Sequence, residues 1–363
     1  LDIRDNTKIS HFKPFWILLI LFLMTMGIVG GQYWAVYYAT PVHIESESML
    51  LEVKQGTGFH ALIHVLHQQG LIEADHRAII LGHLFLQPQD LKSGVYEIHQ
   101  GMSLQTVLLN IHQGTVKQFF FRIKEGETVK NLLAALQSAP YLRHHLDSSL
   151  TPMALASALK LIEPNAEGLF FPDTYQYVST DTDVSLLQKA YHLLQLKLAK
   201  AWEARVAWAP YRQPYEMLTM ASIIEKETGL YEERYEISGV FARRLKQKMR
   251  LQSDPTVIYG LGEYYTGNLH KKDLQKDTPY NSYTREGLPP TPIAFSSWAS
   301  MEAAAHPLEG KHLYFVSMGN GQHYFSNTLE EHHDAVAKYQ LPVQTSSVKA
   351  VPPSSVSNTP HQK

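Results

Sequence analysis

The 363-residue chain contains no cysteine. That single absence removes disulfides, thiol nucleophiles and cysteine-ligated zinc together. An excess of charge is missing too: 32 Lys and Arg stand against 34 Asp and Glu, a net charge of −2. Nothing global therefore favours nucleic acid or an anionic surface as partner. No Gly-rich phosphate loop, Gly-x-Ser-x-Gly elbow or His-Glu-x-x-His pattern occurs, so the usual signatures of nucleotide, serine-hydrolase and zinc-protease chemistry are gone.

Charge is also missing locally. From Pro14 to Ile44 there is no Asp, Glu, Lys or Arg, and "FWILLILFLMTMGIVGGQYWAVYYA" (15–39) exceeds the roughly 20 residues a bilayer core requires. A single transmembrane helix over 14–39 is expected, with Phe12, Phe15 and Trp16 at one interface and Tyr33, Trp34, Tyr37 and Tyr38 at the other. Arg4, Lys8 and Lys13 precede the span, and Glu45, Glu47 and Glu52 follow it. The positive-inside rule then puts residues 1–13 in the cytoplasm and the bulk of the chain outside. A cleaved signal peptide is the competing reading, but its apolar core would be shorter and end in small residues, whereas Tyr37 and Tyr38 interrupt the Ala-rich stretch.

An internal repeat occupies 45–137. "LEVKQGTGFHALIHVL" (51–66), "YEIHQGMSLQTVLLNI" (96–111) and "FRIKEGETVKNLLAAL" (121–136) align on Gly56, Gly101 and Gly126. Apolar residues follow each glycine at the helical period, so each unit reads as strand, tight turn and helix. Ser103 and Thr128 occupy the N-cap position of their helices. Such a unit resembles part of the LysM module, a peptidoglycan-binding fold; a spacer without glycan affinity is the alternative. Residues 138–215 read as helices joined by loops, broken mainly at "IEPNAEGLFFPDTYQY" (162–177). From 216 to 340 a mixed α+β domain is expected. Within it "HLYFVSMGNGQHYFS" (312–326) is a hairpin whose Asn320-Gly321 favours a type I′ turn, and Thr328 with Glu331 forms a capping box. The tail, 341–363, lacks the apolar content to fold. The fold class is thus α+β: an anchor, a LysM-like α/β repeat region and a mixed α+β catalytic domain.

"LTMASIIEKETGL" (218–230) sets Glu225, Lys226 and Glu227 directly after an apolar run. On a helix, Glu225 shares a face with Leu218, Ala221 and Ser222, and Glu227 with Met220, Ile223 and Ile224. Neither face is cleanly polar. A carboxyl held against apolar neighbours has its charged form disfavoured and can stay protonated near neutrality, as a general acid must. Both glutamates solvated at a helix end near Gly229 is the bland alternative. His60, His64 and His67 have helical spacing but no completing ligand, so no metal is expected. "FARRLKQKMR" (241–250) reads as an amphipathic helix whose basic residues form the wet side. The loops "LQSDPTVIYG" (251–260) and "PYNSYTREGLPPTP" (279–292) have the aromatics and hydrogen-bonders of a sugar groove. Asp254, Asn281 and Tyr283, with His323 of the hairpin, are the candidate substrate contacts.

Taken together, "EGLFFPDTY" (167–175), "LTMASIIEKET" (218–228), "MRLQSDPTVIYG" (249–260), "YNSYTREGLPPTPI" (280–293) and "HYFSNTLEEH" (323–332) resemble the YceG-like (MltG) family of endolytic murein transglycosylases. The resemblance covers most of the chain. It departs from the family pattern at Thr291, Ser282 and His333, where Gly, Thr and Asn are usual. It implies that the first glutamate of Glu-Lys-Glu-Thr, Glu225, is the catalytic acid/base. It further implies endolytic cleavage between N-acetylmuramic acid and N-acetylglucosamine to give 1,6-anhydro ends, without a cofactor. The bulk of the chain would lie in the periplasm of a bacterial inner membrane, working on nascent peptidoglycan strands alongside peptidoglycan synthases. Two rivals stand beside this reading: a murein hydrolase in which Glu227 or Asp254 positions water, and a membrane-tethered glycan-binding scaffold in which Glu225 is structural.

Overall fold

The computed structural model describes residues 12–73, 78–79 and 91–340. Most of the expected cytoplasmic segment and the whole tail lie outside the described residues. The elements, in chain order, are α1 (Phe12–Ala39), β1 (Ser48–Val53), α2 (Phe59–Gln68), β2 (Gly94–His99), α3 (Leu104–Gln113), β3 (Phe119–Arg122), α4 (Val129–Leu136), α5 (Pro152–Leu159), β4 (Thr174–Tyr177), α6 (Asp183–Ala204), α7 (Pro214–Glu227), α8 (Tyr231–Lys246), α9 (Asp254–Leu261), α10 (Lys271–Gln275), α11 (Trp298–Ala305), β5 (Tyr314–Ser317), β6 (His323–Ser326) and α12 (Leu329–Tyr339). The class is mixed α+β, with three two-stranded antiparallel sheets among the described residues.

Helix α1 has 28 residues and would be about 42 Å long at 1.5 Å per residue. Its Phe15–Ala39 stretch is long and apolar enough to cross a membrane. The last turn behaves differently from the rest. Tyr38 is 1% exposed and joins Val42, Ile44, Leu51, Leu62 and Tyr96 in one apolar core. Its ring lies 4.6 Å from that of Trp34, and its hydroxyl donates to the Ala78 carbonyl at 3.3 Å. Tyr38 is therefore a core residue rather than a member of an interfacial belt, because the chain folds back on the helix end within a few residues.

Contacts divide the chain into two compact units: Leu1–Ile123 with Lys130–Leu150 and Asp173–Ala190, and Lys124–Val129 with Thr151–Pro172 and Tyr191–Lys363. This partition cuts across the expected 138–215 connecting region. The repeat, which lies in the first unit apart from residues 124–129, takes the local form its pattern implies. Each strand leads through its glycine into a helix, and Gly56, Gly101 and Gly126 adopt φ of 80°, 87° and 71°, where a side chain would be strained. Ser103 caps α3 by accepting the Thr106 N–H. The pairing is less regular than the sequence repeat. β1 runs antiparallel to β2, Ser48 opposite His99 and Val53 opposite Gly94, whereas β3 pairs with β4, Phe119 opposite Tyr177. Strand β4 was hidden in a segment that reads as loop. Only Tyr175 and Tyr177, alternating with exposed neighbours, betray it.

The second unit is built around α7, in which residues 217–224 are all buried. Around it pack Leu194, Leu198, Ile237, Phe241, Ile293, Met301 and Ala304. Two expectations are corrected here. The basic run 241–250 is wet only in part: Lys246, Lys248 and Arg250 are exposed, but Arg244 is 6% exposed and donates to the carbonyls of Leu313, Arg250 and Leu251, and the half-buried Arg243 donates to those of His312 and Leu308. Those guanidiniums satisfy loop carbonyls that no ladder reaches. The hairpin forms, but Gly319 and Gly321 take positive φ and Asn320 does not. Its connection, 318–322, is therefore longer than a two-residue type I′ turn. The Thr328–Glu331 capping box is present at the start of α12.

Two predictions follow from the cores. Tyr38→Ala should cost about 3 kcal/mol of first-unit stability, the usual price of an aromatic-to-alanine cavity, read as a lowered unfolding transition in micelles. In the second unit, Glu167 is 2% exposed. Its carboxyl accepts the Val129 N–H at 2.9 Å and the Tyr259 hydroxyl at 3.0 Å. Burial outweighs those donors and pushes it from an ordinary 4.5 up to about 7. The folded chain thus holds this proton more tightly than the unfolded one, so stability declines as pH rises from the lower value through the higher. Glu167→Gln, which keeps the acceptor for Val129, should flatten that part of a Tm-against-pH curve.

Candidate active site

The apolar run that buries α7 stops at Ile224, and the helix ends three residues later at Glu227. Thr228 closes it in extended conformation, and its hydroxyl accepts the Leu230 N–H at 3.0 Å. The chain then enters α8, whose first turns carry Glu233 and Arg234. The two glutamates of the motif, about 200° apart on the helix, meet different surroundings.

Glu225 is turned into the protein. Its Oε2 accepts the Ser297 N–H at 2.9 Å and the Ser297 hydroxyl at 2.5 Å, and its Oε1 lies 3.7 Å from Arg234 Nη2. Ser297 is also the N-cap of α11, accepting the Ser300 N–H, so the carboxylate sits at the positive end of that helix. Its side chain is 6% exposed.

Glu227 instead lines a cleft of about 430 Å³, within the roughly 300–1,000 Å³ common for small-molecule sites. Asp254, Tyr283, His323, Arg244 and His332 line it as well. Burial pushes the Glu227 carboxyl from 4.5 up to about 7; the Ser253 hydroxyl, which donates to Oε1, pulls the other way, and Asp254 beside it adds to the rise. Ser253 is held in place by buried hydroxyls. Its N–H donates to Ser282 Oγ at 2.9 Å, and Ser282 Oγ lies 2.7 Å from Thr256 Oγ1. Segment 251–260, expected as a loop but helical from Asp254 as α9, and loop 279–292 are thereby fastened together beside the carboxyl.

Three of the four sequence-derived contacts share this cleft. The Tyr283 hydroxyl donates to Asp254 Oδ1 at 2.6 Å, and burial first, then that bond, raises the phenol above its ordinary value. His323 is tied to Glu233, its backbone N–H to Oε1 and its Nδ1 to Oε2, both at 2.8 Å. Asn281 is elsewhere: it is 0% exposed, its Nδ2 donates to the carbonyls of Leu274 and Lys276, and its Oδ1 accepts the Tyr283 N–H. It fixes the loop that carries Tyr283 and offers no polar atom to a sugar. Arg244 lines the cleft, while Ser253 and Glu233 hold the lining residues Glu227 and His323; pattern revealed none of these three roles. Only Ser253 left a trace, as a hydroxyl residue just before Asp-Pro at a helix start.

The Glu225 arrangement makes a stability prediction. Glu225→Ala leaves Arg234 without its partner and Ser297 without its acceptor, and should lower unfolding free energy by about 3 kcal/mol, measured by denaturant titration of the purified chain.

Comparison with known proteins places this architecture. A family model described as the YceG-like family matches residues 51–338. An endolytic murein transglycosylase of Bacillus subtilis is 29% identical over 330 residues, covering 86% of this chain and 91% of that protein. One from Streptococcus pneumoniae is 26% identical and covers 91% of this chain, which spans 66% of the streptococcal protein's length. The crystal structure of a YceG-like protein from Listeria monocytogenes superimposes with a TM-score of 0.52 at 29% identity, covering 80% of this chain and 100% of that one. With most of its length matched in order, the chain belongs to the YceG-like family.

Proposed function

We propose that this chain is a membrane-anchored lytic transglycosylase that cleaves peptidoglycan, with Glu227, rather than Glu225, as its acid. The observation that carries the assignment is a cleft carboxyl pushed up to about 7 by burial. Glu225 has both oxygens turned to protein donors and lies off the cleft lining. The substrate class comes from the relatives, which are named endolytic murein transglycosylases.

Protonated Glu227 donates to the oxygen linking N-acetylmuramic acid to N-acetylglucosamine as positive charge develops at the anomeric carbon. The C6 hydroxyl of the same muramic acid then attacks that carbon, giving a 1,6-anhydro end without consuming water. Because the nucleophile is already tethered, ring closure gains from proximity. In the simplest cycle the Glu227 carboxylate takes the hydroxyl proton. Asp254 is the second carboxylate on which a hydrolase would depend, but the Tyr283 hydroxyl occupies it at 2.6 Å, which favours transglycosylation.

Several finer assignments belong to the same proposal. In this reading the apolar helix anchors the catalytic unit on the periplasmic side of an inner membrane, beside peptidoglycan synthases and their nascent strands, where endolytic cuts terminate elongation; the length and composition of Phe15–Ala39 support it. The strand–turn–helix repeats of 45–137 serve as a LysM-like glycan contact or spacer, and 216–340 as the catalytic domain.

Glu227→Gln should abolish anhydro ends on defined glycan strands, read by product mass, while keeping its unfolding transition. Since the acid must be protonated, wild-type kcat/KM should fall as pH rises through about 7. Anhydro ends persisting in a folded Glu227→Gln chain would refute the assignment, and exclusively reducing ends from wild type would indicate a hydrolase.

A further inference from the structure

The transfer reaction needs a base as well as an acid, and the cleft contains a group shaped for it. His323 opens strand β6 and lines the cleft with Glu227. Its side chain and that of Glu233 are 12% and 15% exposed. The imidazole cannot turn freely: Nδ1 is 2.8 Å from Glu233 Oε2, the backbone N–H is 2.8 Å from Oε1, and the ring stands edge-on to Phe315 at 5.4 Å. A carboxylate on Nδ1 selects the tautomer that carries its proton there, which leaves Nε2 as an acceptor. Glu233 is in turn connected to the turn that follows the acid, since the Thr228 hydroxyl donates to its Oε2 at 3.4 Å.

Resting on the reading of Glu227 as acid, we propose that His323 is the base of the reaction and Glu233 the residue that positions it. The Glu227 proton goes to O4 as the C1–O4 bond breaks. The O6–C1 bond forms, and the O6 proton passes to His323 Nε2. Solvent then returns one proton from the imidazolium to the Glu227 carboxylate, so the cycle closes with no water consumed. The charged and titratable groups on the surrounding cleft elements are Glu233 and Arg244 of α8, Glu227 of α7, Asp254 of α9, Tyr283 of the loop after α10, Tyr314 of β5, and His332 and His333 of α12.

The two-group cycle differs from the single-carboxylate cycle in its pH profile. One carboxylate acting alone requires only protonation of the free enzyme, so kcat/KM has an alkaline limb only. A separate base adds an acidic limb. The test uses the purified full chain in detergent micelles, acting on uncrosslinked glycan strands, with anhydro ends quantified by mass. Wild type should show both limbs. His323→Gln should lose about 100-fold in kcat with KM within about two-fold, and its residual rate should lack the acidic limb. Glu233→Gln should move that limb to lower pH, because removing the negative charge makes the imidazolium easier to deprotonate. In His323→Ala, added imidazole should restore part of the rate, a rescue that a purely structural histidine would not show. A wild-type profile with no acidic limb overturns the inference, as does His323→Gln with kcat and limb unchanged, or His323→Ala that keeps a native unfolding transition but gains nothing from imidazole. None of these outcomes touches the acid. Anhydro ends persisting in Glu227→Gln would instead remove the parent reading, and this inference with it.

Discussion

A helix apolar on every side can end in charge only where each charge meets a specific partner, and that constraint governs the second unit. Residues 217–224 of α7 are buried all round, so Glu225 and Glu227 emerge from a dry interior into whatever the following elements supply. The solutions differ in kind. Glu225 receives a serine amide, a serine hydroxyl and a guanidinium, and in return anchors the start of α11. Glu227 receives one hydroxyl and a neighbouring carboxylate. The well-satisfied carboxylate is tied into the protein and the poorly satisfied one lines the cleft, and perturbed groups of the second kind tend to gather at functional sites.

The cleft follows from the same economy of partners. Segment 251–260, whose latter part is α9, and loop 279–292 share a single backbone bond, Gln252 N–H to the Ser282 carbonyl, and three buried hydroxyls, Ser253, Thr256 and Ser282, complete the join. Arg244 ties the end of α8 and the segment after it to the hairpin strand carrying Tyr314, through carbonyls and the aromatic face. The site therefore rests on side-chain bonds between irregular segments, each fixed by a fully used polar group. Asn281 belongs to that scaffold: its value lies in holding Tyr283 at Asp254.

Much of this was legible in the sequence, and the losses have physical causes. The repeats, the capping box at Thr328, the hairpin and the fully buried α7 could be read because periodicity and caps are local. Strand β4 escaped because four residues carry too little pattern, and its partner β3 lies more than fifty positions earlier in the chain. The carbonyl partners of Arg243 and Arg244 escaped because basic residues on an amphipathic helix look alike whether water or distant carbonyls receive them. The glutamates show the limit most clearly. Their spacing said that they diverge, yet which one opens on a cleft depends on Ser297 and Ser253, far off in sequence. The family likeness also pointed to the motif more securely than to the residue within it.

The end of α1 has a mechanical consequence. Because Tyr38 is part of the first unit's core and Val42 donates its N–H to the Met102 carbonyl at 2.8 Å, no slack chain separates the apolar helix from the folded body it enters. A tether of flexible residues would let that body drift and tumble above a bilayer. Here the helix is a shaft keyed into its load: in a bilayer its tilt and its rotation about its own axis would be transmitted directly, so the lipid thickness that set the tilt would also set which face of the first unit looked across the membrane plane.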